Sequence, residues 1–339
     1  MKSYFLITSS GAAATRWVGA SLNRHMDICC SCGSGELAET LIYGRPNSRE
    51  YIDRTAAFLW DRCMGAQAEL RPLDRMFDEL ESHREARLYG NIHGETLITL
   101  SANLQASPLH RQVRVVNLVR HPIPRTQSKF GMIQHDCELS AAMRKVCEFQ
   151  VQDRLNRMAP IADAIRDQIG DFEASAERRY FVSALLDTVG ASAEFVSTPG
   201  FPEVPQYRVE QIKESREGFA ELIQHLSDGQ LRVSQHYLDA IFSADSLNSE
   251  RYRAAASGPA RTAEDQWRDW QDWQQRAFHA AMQSSPLCPR FESVGYDFSF
   301  VGAPKAPLFP GFALRRRPAA APPPPAVAAP ALFNQTVLH

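Results

Sequence analysis

Val113-Arg114-Val115-Val116-Asn117-Leu118-Val119-Arg120-His121-Pro122 is the stretch that decides the fold. Its β-branched run suits a strand buried on both faces of a parallel sheet, and the Arg-His-Pro triplet ends that strand. Arg120 therefore stands at the C-terminal end of a parallel strand, where open α/β sheets bind their ligands. With a helix beginning after Pro124, Ser128 falls in the first turns and faces the same anion. An Arg-Ser pair so placed suits a terminal phosphate, through charge-assisted hydrogen bonds of about 1.5–3 kcal/mol each. The same spacing also fits a surface arginine followed by a solvated serine.

Working outward toward the N-terminus, Tyr4 to Ile7 reads as a buried strand and Ser9 to Ala14 as a loop of small residues. A helix follows, with Trp17, Val18, Leu22 and Met26 close to the 3.6-residue period. Side chains this small let backbone N–H groups point inward, and with the positive end of the next helix they form an anion site. Thr15 adds a hydroxyl and Arg16 a charge. An unremarkable βα turn is the competing reading. The Gly-x-x-x-x-Gly-Lys-[Ser/Thr] pattern is missing, which argues against an ordinary ATPase or GTPase.

In the remaining chain, residues 47 to 85 read as helical and Leu88 to His93 as a short second strand. Residues 138 to 170 form a long helix interrupted near Pro160, Val204 to Val209 a further strand, and Arg216 to Leu226 a helix. A Trp-rich helix covers Glu264 to Met282. Strands alternating with helices imply an α/β fold, a central parallel sheet with helices on both faces. Residues 1–302 form one catalytic domain. Residues 303–339 form a Pro/Ala-rich flexible tail that cannot build a core, with Arg315-Arg316-Arg317 solvated.

The 339 residues carry 44% hydrophobic and 22% charged residues, the balance of a globular protein, and a net charge of -2 that argues against a nucleic-acid partner. The apolar run at the N-terminus is too short for a signal-peptide core or a membrane span, so a cytoplasmic location is expected. Seven cysteines include the crowded Cys29, Cys30 and Cys32. Without two spaced pairs they do not make a zinc site, and reduced, mostly buried thiols are expected.

Taken together, these features resemble the PAPS-dependent sulfotransferases, whose fold is P-loop NTPase-like. Arg120 and Ser128 match the family's strand-end Arg and the Ser eight positions on, which hold the 3′-phosphate. Gln206-Tyr207-Arg208-Val209-Glu210-Gln211-Ile212 is similar to its "Arg-Tyr-Glu-Asp-Leu" strand, and Phe291-Glu292-Ser293-Val294-Gly295-Tyr296 to its closing "Leu-Gly-Tyr". The resemblance implies that Ser10, Gly11, Ala12, Ala13, Ala14, Thr15, Arg16 and Trp17 hold the 5′-phosphosulfate. It implies PAPS as co-substrate, PAP as product and no metal. A hydroxyl of a small-molecule, carbohydrate or lipid acceptor would take the sulfuryl group by in-line displacement.

His93, or Glu95 in its place, is the general base that the resemblance implies; an imidazole titrates near working pH. Gly258, Arg261 and Trp267 loosely resemble the loop that closes over the 3′-phosphate, with Arg253 a rival for Arg261; the Trp267, Trp270 and Trp273 spacing also reads as packing along one helix face. The chain departs from the family in the first loop. Anchored on Gly11, Ser9 occupies the place of the usual Lys or Arg; anchored on Thr15 and Trp17, Ala12 does. The basic residue that would neutralise charge on the bridging oxygen is missing, and such a loss costs ~10²–10³ in rate. A second reading therefore stays open, a catalytically impaired sulfotransferase-like nucleotide-binding protein; a third, a small-molecule kinase on the same fold, is disfavoured by the missing Lys-[Ser/Thr] and by the absence of an evident metal-binding carboxylate.

Overall fold

The structure is a computed structural model and describes residues 2–32, 49–64, 72–92, 112–193, 204–243 and 261–303. Five strands, β1 (Ser3–Ser9), β2 (Ile28–Cys32), β3 (Leu88–Ile92), β4 (Val113–Val119) and β5 (Gln206–Arg208), form one sheet in the order β2-β3-β1-β4-β5. Every pairing is parallel, with Ile7 opposite both Ile92 and Val116. The helices are α1 (Thr15–Asn23), α2 (Arg49–Cys63), α3 (Leu73–His83), α4 (Pro122–Leu139), α5 (Ala141–Arg157), α6 (Ala159–Ile169) and α7 (Ala176–Ser192). After β5 come α8 (Val209–Glu214), α9 (Arg216–Leu226), α10 (Gln235–Phe242), α11 (Ala263–Asp269), α12 (Asp272–Ser284) and α13 (Leu287–Glu292).

The period of two along β1 builds both faces of the sheet. Phe5 and Ile7 pack with α1, α9 and α10, while Leu6, one residue out of phase, packs with Leu73, Met76, Phe77 and Leu80 of α3. Burying both faces explains why β1 reads as a continuous apolar run. Gly90 is required in β3: a Cβ there would sit 2.4 Å from the Phe5 ring. A third cluster, the largest, is built by α4 to α7 with α11 to α13 beyond the end of β4. The fold is thus a central parallel sheet flanked by helices on both faces, as the alternation implied.

Several elements differ from the sequence reading. The cysteine cluster is β2, fully buried, because Cys29 and Cys30 face opposite sides of a two-sided sheet; all seven thiols are free. Within residues 47 to 85 the structure describes two helices, α2 ending at Cys63 and α3 starting at Leu73, while α5 and α6 meet at Met158, in line with the expected interruption near Pro160. The strand near residue 206 is only three residues long, since Val209 already begins α8. The Trp-rich helix breaks at Trp270, whose backbone is extended (ψ 135°), and a second capping box at Gln271 restarts it. All three tryptophans are buried: Trp270 and Trp273 pack around Phe181, and Trp267 packs against Phe278. Among the described residues no helix is long and apolar enough to cross a membrane.

Candidate active site

The chain leaves β1 toward β2 and leaves β4 toward β5, so the C-terminal ends of these two neighbours bound the crevice where connections diverge. Two sequence features meet there. The loop from Ser10 to Ala14 carries Gly11 at φ 84°, Ala12 at φ 52° and Ala14 at φ 54°. For alanine this left-handed conformation costs about 1–2 kcal/mol per residue. Alternation about Ala13, which is not left-handed, is the backbone pattern of an anion-binding nest. Ser9 Oγ accepts from Gly11 N at 3.1 Å. Ala14 caps α1 without a side-chain bond, and among the described residues the N–H groups of Ala12 to Trp17 find no acceptor.

The carbonyl side of the same loop is gripped by two arginines. Arg120 donates from Nη1 to Ala12 O at 3.0 Å, and Arg125 from Nη2 to Ser10 O at 2.7 Å. With carbonyls engaged on one side, the N–H groups are left for an anion on the other. Arg120 sits below the usual guanidinium range because it is buried, against the pull of Glu210 and Tyr296 and with Arg125 adding repulsion. A third cation, Lys213 of α8, lies with Nζ 5.9 Å from the Trp17 ring. Burial, then Arg120, pushes its ammonium down.

The site is braced from the C-terminal side. The Tyr296 hydroxyl lies 2.9 Å from Val119 O and 2.8 Å from Glu210 Oε2, while Glu210 Oε1 accepts from His121 N at 3.1 Å. Arg208 donates to Gly295 O at 2.7 Å. His121 caps α4 by accepting from Ile123 N at Nδ1 (3.2 Å), so its Nε2 carries the proton toward Asp297 O, 3.2 Å away. Burial pushes this imidazole down to about 4, although the Asp297 carbonyl and Glu210 act against it. On the outer side of this brace a cleft of about 590 Å³ opens, lined by His121, Glu210, Glu214, Glu264, Asp297 and Phe300 among others. Its acidic lining sets it apart from the cationic crevice.

Beneath the loop lies a charged cluster that the sequence did not announce. Arg125 also donates to Thr188 Oγ1 at 2.8 Å and pairs with Asp187 at 3.0 Å. Arg154 pairs with the other Asp187 oxygen at 2.8 Å and donates to Ser183 Oγ at 2.7 Å. Lys129, one turn beyond Arg125 on α4, is buried beside them. Asp187 sits well below the carboxylate range: Lys129, Arg154 and Arg125 overcome the burial that opposes its ionisation.

The expected site residues fare unequally. Ser10 to Ala14 and Arg120 converge in the crevice, as their hydrogen bonds show. Ser128 lies in the second turn of α4, half-buried, and its hydroxyl makes no hydrogen bond among the described residues. Thr15 and Trp17 are buried; Trp17 packs edge-on against Phe219 and Phe242, which leaves its backbone rather than its ring to a ligand. Arg16 is half-buried on the first turn of α1. Arg261 pairs with Asp269 at the surface instead of reaching the crevice. His93, Glu95, Arg253 and Gly258 lie outside the described residues, β3 ending at Ile92. Arg125 and Lys129 were missed, though a signal existed: they fall at i and i+4 on the stripe that Ile133 and Cys137 continue, where apolar residues are expected.

No protein-family model matches the chain, and no curated protein matches it. Among solved structures, the chain is similar to a sulfotransferase from Alicyclobacillus acidocaldarius, at 13% identity and a TM-score of 0.36 over 75% of this chain and 95% of that one. It is also similar to mouse sulfotransferase SULT7A1 complexed with PAP, at 11% identity and a TM-score of 0.37 over 86% of this chain and 89% of that one. Neither likeness carries any part of the functional reading.

Proposed function

We propose that the chain is a PAPS-dependent sulfotransferase that moves the sulfuryl group to a hydroxyl of a small-molecule, carbohydrate or lipid acceptor. The observation that carries this reading is the meeting of Arg120 with the Ser10–Ala14 loop at the divergence of β1 and β4. The loop's N–H groups and the start of α1 bind the 5′-phosphosulfate end, and Arg120 with Ser128 binds the 3′-phosphate. His93 or Glu95 removes the acceptor proton. Positioning and fixed charge account for the rate, with no covalent enzyme intermediate. Residues 1–302 act as one catalytic domain.

A specific observation favours a second reading. The loop carries no Lys or Arg from Ser9 to Thr15, which fits a nucleotide-binding protein that has lost turnover. Calorimetric titration with 3′-phosphoadenosine 5′-phosphate separates the cases. Binding that Arg120→Ala weakens, together with sulfate transfer to some member of an acceptor panel, supports the enzyme. Binding without transfer supports the impaired protein, and no binding removes both.

A further inference from the structure

The ladder of β4 stops at Leu118 against β1 and at Val119 against β5, because Val209 already begins α8. The backbone that follows, Val119-Arg120-His121, is held by two side chains instead. Tyr296 places its hydroxyl 2.9 Å from Val119 O, and Glu210 Oε1 accepts from His121 N at 3.1 Å. The two side chains also meet each other, Tyr296 Oη lying 2.8 Å from Glu210 Oε2. Both peptide groups flanking Arg120 are thereby fixed, and with them the direction in which its side chain leaves the strand end. The clamp is itself held: Arg208 donates to Gly295 O at 2.7 Å, and Tyr296 N donates to Phe291 O at 3.2 Å. Arg120 commits Nη1 to Ala12 O, and among the described residues its other donors are unengaged.

Glu210 is an imperfect partner in this clamp. A tyrosine hydroxyl has one proton, so Val119 O and Glu210 Oε2 must share it. Burial, then Glu210, pushes the Tyr296 phenol far up, which keeps that proton in place. Glu210 also attracts the Arg120 guanidinium, in competition with any anion that Arg120 binds. Its hydrogen bonds therefore serve the site while its charge opposes the ligand.

We propose that Glu210 and Tyr296 are positioning residues for Arg120, setting its guanidinium for a bound anion through hydrogen bonds to the two peptide groups that flank it and not through charge. Naming that anion as a phosphate of the nucleotide rests on the sulfotransferase reading; the positioning role requires only a phosphate-like or sulfate-like anion on Arg120. The role gives Glu210 and Tyr296, 86 residues apart in the chain, a common reason to stand in contact.

The test titrates the full chain with 3′-phosphoadenosine 5′-phosphate and with sodium pyrophosphate, by calorimetry at fixed ionic strength and well below each variant's Tm. Tyr296→Phe removes only the hydroxyl and Glu210→Ala removes both acceptor oxygens; each should weaken binding by roughly fivefold or more. Glu210→Gln should bind at least as tightly as the unmutated protein. A carboxamide accepts from His121 N and donates to Tyr296, which frees the hydroxyl proton for Val119 O. In the Arg120→Ala background Tyr296→Phe should weaken binding no further, an outcome that a general loss of structure would not produce. Unchanged affinity in Tyr296→Phe overturns the proposal, as does a Glu210→Gln loss matching that of Glu210→Ala, or a fully additive loss in the double variant. Pyrophosphate binding that follows the expected pattern while the nucleotide is refused leaves the positioning role standing and overturns the nucleotide reading. Refusal of both overturns both.

Discussion

Arg120 Nη1 lies 3.0 Å from the carbonyl oxygen of Ala12, so a strand-end guanidinium on β4 closes the loop that follows β1. This bond ties the two halves of the proposed nucleotide site into one object. Arg120→Ala removes both the clasp and a full charge, and affinity for 3′-phosphoadenosine 5′-phosphate should fall at least about tenfold to a hundredfold. Arg120→Lys keeps the charge but not the planar fork, and should recover only part of the loss. Titration calorimetry of the three proteins reads the outcome; equal affinities would remove Arg120 from the site.

The loop stores backbone strain that can be measured. Ala12 and Ala14 hold φ near 53°, which suits glycine better than alanine. Ala14→Gly should raise stability by up to about 1 kcal/mol, the relief of left-handed strain less the greater freedom glycine gives the unfolded chain. Ala14→Val places a β-branched side chain at the same φ and should cost well over about 1 kcal/mol. Urea unfolding of the two variants checks both signs, and a stabilised valine variant would contradict the left-handed conformation.

The Asp187 cluster behaves differently from a surface ion pair. Asp187→Ala leaves Arg125, Arg154 and Lys129 buried together and should cost about 3–5 kcal/mol. Because the folded state holds this carboxyl below its unfolded value near 4, its contribution is complete above that pH and fades as the pH falls. The gap between the unmutated protein and Asp187→Asn should therefore narrow in acid. A constant gap from about pH 6 down to about pH 3 would show that the carboxylate charge is not what stabilises the cluster.

What was legible in the sequence follows from local physics. The β-branched run of β4 and the small residues after β1 declare a buried parallel strand and a backbone-lined turn, so Arg120 and the Ser10–Ala14 loop stand out without coordinates. The charged cluster does not declare itself. Arg125 meets Asp187 only because α4 and α7 pack together, 62 residues apart in sequence. The burial of the three cysteines was expected, but the strand they form was hidden, because Ile28 is the one β-branched residue in its five. The break at Trp270 was hidden because a three-residue tryptophan spacing imitates a continuous helix, whereas the capping box at Gln271 restarts it.

His121 gives the brace behind the site a pH dependence with a definite sign. The folded imidazole titrates near 4 while an unfolded histidine titrates near 6.5, so below about pH 6.5 protons bind the unfolded chain preferentially. The neutral ring's contribution is complete above that value, is partly lost by about pH 5, and has been lost to the extent of about 3 kcal/mol once the pH falls below 4. The physical reason is that Nδ1 must stay unprotonated to accept from Ile123 N, with the ring buried against those of Tyr296, Phe298 and Phe300. Asparagine caps helices as well as any residue and does not titrate. Urea unfolding of His121→Asn between about pH 7 and pH 5 should show a shallower decline than the unmutated protein, by about 2 kcal/mol at the lower end. Parallel declines would mean that His121 is protonated in the folded state and that the brace tolerates the charge.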